Sequence, residues 1–273
     1  MPQAFTLTQQ QRTQFLAEGL TIAPGVIPRA DVDAMVDRLW SALDRQHSVA
    51  RDRPDTWTKA GCAQFGDLAR TGAFAAMMSA GMAGLLDDFF GERGWDHRLP
   101  LPPAPLMVTF PVAGAVWNIP FRSWHLDLGR ASEALRQAGK PWPDYVRIFA
   151  FLSHVEPGGG GTVYVAGSHR AAIAIMQEMG RKGGEVRSAS VVKRLRAESP
   201  WLDQLYAPGG ADERRTRFME TGAELRGIPL RVGEVTGQPG DVVLWHPALL
   251  HAMPSNFRPS PRLMLTATVF AKD

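Results

Sequence analysis

The sequence predicts a mainly β protein with flanking helices, its strands closing into a sandwich or jelly-roll barrel. Three observations predict this. Six short, apolar, β-rich segments follow the proline cluster at 100–105: LMVTFPV (106–112), FRSWHLDL (121–128), YVRIFAFLSH (145–154), TVYVA (162–166), DVVLWH (241–246) and LMLTATVF (263–270). Gly, Pro and Asn mark the breaks between them. The connections are long and irregular, unlike the regular helical crossovers of a parallel βαβ sheet.

Composition sets the class. The chain has 273 residues, of which 45% are hydrophobic and 21% charged. These are the proportions of a globular protein with a substantial core, not of a disordered or collagen-like chain. Lys+Arg exceeds Asp+Glu by 30 − 27 = +3, a surplus too small to call for a nucleic-acid partner. Cys62 is the single cysteine, which excludes an internal disulfide and a cysteine zinc site. The opening MPQAFTLTQQQRTQF has no basic stretch leading into an apolar one, and no uncharged apolar run reaches membrane-span length. A cytoplasmic protein with no membrane partner is expected.

The elements follow in order. Thr8 can cap a helix through QQQRTQFLAEG, with Gly19 as its stop. A short apolar stretch, Leu20 to Ala23, leads to Pro24-Gly25. Pro28 opens a second helix, in which Val32, Met35, Val36, Leu39, Trp40 and Leu43 share one face and read as core. Residues 44–70 read as polar loop, and 72–90 as helical despite their glycines. PGGGGT at 157–162 lies between two strands, so it reads as a turn and not as a phosphate loop. Residues 171–235 read as a polar insertion with helical pieces, its many arginines interleaved with acids. The resulting layout is one domain over 1–273: a helical N-terminal segment 1–100, a barrel core at 101–170 and 236–273, and the insertion 171–235.

The chemistry-bearing signal is His125-Leu126-Asp127. In a strand, residues two apart project to the same face. His251 follows an apolar strand far downstream. Two histidines and one carboxylate form the facial triad of non-haem Fe(II) oxygenases, which leaves open coordination positions. Arg262 opens the last apolar strand. A guanidinium leading into a barrel interior is costly unless it meets an anion, and its fork suits a carboxylate. A dicarboxylate such as 2-oxoglutarate would need both: one end on iron, the other on an arginine.

At these residues the sequence resembles the phytanoyl-CoA dioxygenase-like family of Fe(II)/2-oxoglutarate oxygenases. The resemblance covers most of the chain: the opening TQQQRTQFLAEGLTIAPGVIPRADVDAMVDRL, then WHLDL, then FAFLSHVEPGGGGTVYVAGSHR, then GDVVLWHPALLHAMPSNFRPSPR with His251, Asn256 and Arg262 at family spacing. It implies a double-stranded β-helix (jelly-roll, cupin-like) core. It implies His125, Asp127 and His251 as ligands of Fe(II), and Arg262 as the partner of the distal carboxylate of 2-oxoglutarate. O2 is the other co-substrate, and succinate and CO2 are released as a small-molecule substrate is hydroxylated. Thr162 would add a hydroxyl to that carboxylate, Phe149 would pack against the co-substrate, and Met107 would face inward from an earlier strand. Asp127 stands where related halogenases carry a small residue, which favours hydroxylation over halogenation. Met253 departs from the pattern, since relatives often carry a small hydroxyl there.

The remaining candidates are weaker. His169, His154, His246, His47 and His97 read as structural or loop histidines. Trp117, Trp124 and Trp142 lie near the proposed mouth, with Trp124 pointing away from the site. Ser123 is expected to face inward with His125. Arg147, in mid-strand, is either paired structurally or binds an anionic substrate. Two other readings use the same residues: a zinc hydrolase, which leaves Arg262 unexplained, and a non-catalytic small-ligand-binding β-barrel. Nothing in the sequence fixes the substrate or the oligomeric state.

Overall fold

A computed structural model describes residues 5–57, 68, 70–91, 94–96, 106–114, 116–128, 143–182 and 186–272. Cys62, His97, Trp142 and the proline cluster at 100–105 lie outside the described residues.

The N-terminal elements form as their sequence dictates. Helix α1 (Gln9–Glu18) starts at Thr8, whose hydroxyl accepts from the Gln11 amide while the Gln11 side chain accepts from the Thr8 N–H. This reciprocal box satisfies two donors that a helix start leaves orphaned. Gly19 ends the helix at φ 90°, a backbone a side chain would strain. A short strand, β1 (Leu20–Ala23), follows. Helix α2 (Arg29–His47) buries the stripe Val32, Met35, Val36, Leu39, Trp40 and Leu43, as its spacing requires. It runs further than the sequence suggests, through residues 44–47. Helix α3 (Ala80–Phe90) occupies the second half of the expected 72–90 helix, after a 3₁₀ turn at Ala75–Met78.

The rest is antiparallel sheet and more helix. The strands are β2 (Leu106–Thr109), β3 (Tyr145–Phe151), β4 (Val163–Ala166), β5 (Ala223–Leu225), β6 (Ile228–Glu234), β7 (Val242–Trp245), β8 (His251–Ala252) and β9 (Arg262–Phe270). Helices α4 (Ser168–Arg181), α5 (Ser188–Glu198), α6 (Pro200–Gln204) and α7 (Ala211–Arg215) lie between β4 and β5. One sheet has the order β1-β7-β3-β9-β2, the other β5-β6-β4-β8. The class is therefore mixed helix and antiparallel sheet, with more helix than the mainly β protein expected.

Period-two alternation places the faces. Val146, Ile148 and Ala150 of β3 pack outward with α2 and α3. Phe149 and Phe151 point the other way, with Trp245 and Met264, toward Tyr164 and Val235 of the second sheet. The outer face of that second sheet, Val163, Val165, Leu230 and Val232, is covered by Ile175, Met176, Val191, Leu195 and Leu202 of the helices after β4.

Two expectations need correction. The segment 171–235 is not simply a solvated insertion: it contributes β6, which pairs with β4 from Val163↔Glu234 to Ala166↔Arg231, and it buries an apolar face. FRSWHLDL forms no regular strand. It joins the second sheet through the single bridge His125↔His251, because Ser123 adopts a left-handed backbone (φ 64°) that interrupts the extended run.

Candidate functional site

The inner faces of the two sheets meet in a cavity of about 190 Å³ lined by Met107, His125, Asp127, Arg147, Phe149, Thr162, His251, Met253 and Thr266. Every residue singled out for the site therefore faces it except Arg262, which lies directly behind Met253. The sheet register explains the convergence. Met107 pairs with Met264, Phe149 with Thr266 and Arg147 with Thr268 across one sheet. Tyr164 and His125 both oppose His251 in the other.

His125, Asp127 and His251 each offer a donor atom, and the three donors lie within 4.8 Å of one another. His125 Nε2 is 3.8 Å from Asp127 Oδ1, and His251 Nε2 is 3.6 Å from Asp127 Oδ2. Local geometry fixes both tautomers. His125 Nδ1 lies 2.7 Å from the Ser123 carbonyl and His251 Nδ1 lies 2.9 Å from the Leu249 carbonyl. A carbonyl only accepts, so each Nδ1 carries the proton and each Nε2 keeps its lone pair for the site. Burial holds His251 neutral, its pKa depressed to about 4. Ser123 thus serves through its backbone, and its side chain is exposed rather than facing inward.

Asp127 is oriented by Arg147, whose Nε sits 3.1 Å from Oδ2 while its Nη1 donates to Thr268 Oγ1 at 2.6 Å. The structure thus gives Arg147 a partner inside the chain.

Arg262 is 1% exposed. Its Nη1 donates to the Gly160 carbonyl, Nη2 reaches Met253 Sδ at 2.8 Å, and Nε has no partner. Gly160 sits at φ 79° with Asn256 packed so close that a side chain would crowd it. Among the described ion pairs none includes Arg262. The acid acting on it is Glu234, half-buried and accepting from the Gly158 amide, its pKa pushed up to about 7 by burial. Burial in turn lowers the Arg262 pKa to about 10. Thr162 Oγ1, also in the cavity, is buried without a partner. An unsatisfied hydroxyl in the cavity and an unsatisfied guanidinium nitrogen behind Met253 are costly, and an oxyanion reaching both would relieve them.

The family model described as Phytanoyl-CoA dioxygenase (PhyH) matches residues 15–264. The chain belongs to the phytanoyl-CoA dioxygenase family. Solved structures similar to this family member include AviO1 from Streptomyces viridochromogenes Tue57, at 15% identity over 98% of this chain and 96% of that chain, with a TM-score of 0.52. The non-heme alpha ketoglutarate dependent epimerase SnoN from nogalamycin biosynthesis is similar at 12% identity, over 96% and 82%, with a TM-score of 0.51. EctD from S. alaskensis is similar at 16% identity, over 97% and 77%, with a TM-score of 0.50. At these identities the likeness is one of fold. No curated protein matches the chain.

Sequence reasoning missed several residues of this dioxygenase-family site. Trp245 is fully buried, edge-on to His251 (ring centroids 4.9 Å, 82°) and to Phe149 (5.2 Å, 86°). Thr266 and Thr268 share the inward face of β9 with Met264, and alternation from Met264 would have found them. His169, His246 and His154 lie away from the three donors. His169 and His246 face each other at 5.0 Å beneath α1, and His169 Nε2 reaches the Leu16 carbonyl at 3.2 Å. His154 is exposed beside Glu156. Trp124 is buried, its Nε1 donating to the Pro120 carbonyl, and points away from the metal side as expected. Trp117 packs against the same outer cluster. Beyond His125 lies a larger cavity of about 980 Å³, walled by Trp124, Val192, Lys193 and Arg196. No helix among the described residues is long and apolar enough to cross a membrane.

Proposed function

We propose that this chain is an Fe(II)- and 2-oxoglutarate-dependent dioxygenase that hydroxylates a small-molecule substrate. The observation that carries the reading is one cavity with two ends. At one end three donors face each other within 4.8 Å. At the other stands Met253, and directly behind it lies a fully buried guanidinium with an unpartnered Nε. The donor set fits a metal ion: two neutral imidazole nitrogens and one carboxylate are the facial set that suits ferrous iron.

On this reading His125, Asp127 and His251 hold the iron, and Arg262 and Thr162 hold the distal carboxylate of 2-oxoglutarate. Met107 and Phe149 pack against the carbon chain between them. Arg147 keeps Asp127 turned toward the metal side. The bound iron and O2 supply the oxidising chemistry, converting 2-oxoglutarate to succinate and CO2 as the substrate is oxidised. The chain contributes position and dryness: Trp245, Phe149 and Met264 exclude water behind the ligands. The primary substrate enters through the cavity of about 980 Å³, which shares His125 with the inner one.

The strand arrangement supports a double-stranded β-helix. From β2 to β9 the chain passes from the first sheet (β2) to the second (the His125 segment), back to the first (β3), into the second for β4, β5 and β6, to the first (β7), the second (β8) and the first again (β9). The iron-ligating positions span this core, which makes the chain one functional domain. A zinc hydrolase would leave the buried Arg262 without a role. The test is turnover in air: iron-loaded protein with 2-oxoglutarate is expected to form succinate, and Asp127→Ala is not. Equal succinate from both proteins, or none from either, rejects the reading.

A further inference from the structure

Met253 stands between solvent and the buried anchor. Among the described methionines it alone is exposed, at 49%, the others being buried or half-buried. Its sulfur meets Arg262 Nη2 at 2.8 Å, and it lines the same cavity as Thr162 and the three donor residues. A thioether is a weak acceptor, so it covers the guanidinium without competing strongly with a carboxylate. A sulfoxide is polar, and its oxygen is a far better partner for a guanidinium. The guanidinium here is fully buried and still has an unpartnered Nε.

We propose that Met253 is an oxidation-sensitive gate on the anion anchor. A peroxide oxidises the thioether: a sulfur lone pair attacks one peroxide oxygen, the O–O bond breaks, an S–O bond forms, and the second oxygen leaves as water. Sulfur loses two electrons and the peroxide gains them. The sulfoxide oxygen then occupies Arg262 and closes the anchor to a dicarboxylate. The thiol-dependent methionine sulfoxide reductases reverse the change. The inference rests on the reading of Arg262 as the co-substrate anchor.

The experiment uses the full chain, metal-free during treatment with dilute hydrogen peroxide and then loaded with redox-inert Zn(II). Peptide mass mapping locates the added oxygen, and calorimetry measures 2-oxoglutarate affinity. The expected result is oxidation at Met253 ahead of every other methionine, affinity weaker by about tenfold, and recovery after reductase treatment. Met253→Leu should show no peroxide-dependent change in affinity. Prior oxidation elsewhere, unchanged affinity once Met253 is oxidised, or an equal loss in Met253→Leu overturns the gate. If untreated protein binds no 2-oxoglutarate, the functional reading falls and takes the gate with it; if it binds equally before and after Met253 is oxidised, the gate alone falls.

Discussion

His125 and His251 are locked to each other through their backbones. The amide of each donates to the carbonyl of the other, at 2.9 and 3.1 Å, and their rings sit 4.2 Å apart. Residues 126 positions apart in sequence therefore present their Nε2 atoms to one point, with Asp127 two residues along the same segment. The proposed metal site is thus built on backbone pairing and not on flexible side chains alone.

Replacing either histidine should remove metal binding without unfolding the protein. His125→Ala and His251→Ala are each expected to weaken Co(II) affinity by more than the roughly 10–100-fold that loss of an outer partner costs. Equilibrium dialysis with circular dichroism checks this. Unchanged affinity in either variant would remove that histidine from the ligand set.

Arg262→Ala should leave metal binding intact and abolish tight 2-oxoglutarate binding. Truncating one partner of a buried charge pair costs about 2–5 kcal/mol, on the order of 30- to 4,000-fold in affinity. Calorimetry on the Zn(II)-loaded variant provides the measurement. Affinity within a factor of three of the parent would show that the co-substrate carboxylate is held elsewhere.

Asn256 fastens the loop that delivers Arg262. It is fully buried, donating to the Thr109 and Ser260 carbonyls at 3.2 and 2.7 Å and accepting from the Arg258 amide at 2.9 Å. Asn256→Ala leaves these groups unsatisfied and should cost about 2–4 kcal/mol. Thermal unfolding should drop by roughly 5–10 °C. A melting temperature indistinguishable from the parent would contradict the assignment.

Stability should respond to acid through two histidines away from the site. Burial holds His169 at a pKa of about 4 and pushes His246 well below its ordinary value. Both are neutral in the folded state, while the unfolded chain protonates near pH 6.5. The stability they contribute is present above that pH and is lost as pH falls toward 4, at about 1.4 kcal/mol per pH unit per group. Glu234 works the other way. Its raised pKa of about 7 contributes stability below pH 4.5 that is lost as pH rises through 7. Denaturant unfolding between pH 4 and 7 should therefore show a shallower acid loss in His246→Phe and a steeper one in Glu234→Gln. Parallel curves for all three proteins would contradict these environments.

Local chemistry made much of this legible in the sequence. The Thr8 cap, the Gly19 stop and the α2 stripe are short-range features, and they form where their residues place them. The inward residues of β3 and β9 follow from alternation. Other features were hidden because they depend on contacts distant in sequence. The alternation Ile228, Leu230, Val232 is interrupted by Pro229, Arg231 and Gly233, so β6 reads as insertion. Ser123 broke a strand that composition favoured. The contacts of Arg147 with Asp127, and of Met253 with Arg262, exist only after the sheets close. The co-location of His251 with His125 and Asp127 rests on facial-triad chemistry and the family resemblance, since spacing alone joins only the last two.

The most direct test of the account is an anaerobic titration of the purified protein with Fe(II) and then 2-oxoglutarate, followed by visible absorption. The expected result is a weak metal-to-ligand charge-transfer band at one equivalent of iron, lost in Asp127→Ala and appearing only at far higher 2-oxoglutarate in Arg262→Ala. No band at saturating 2-oxoglutarate in the parent protein would contradict the shared site of iron and co-substrate.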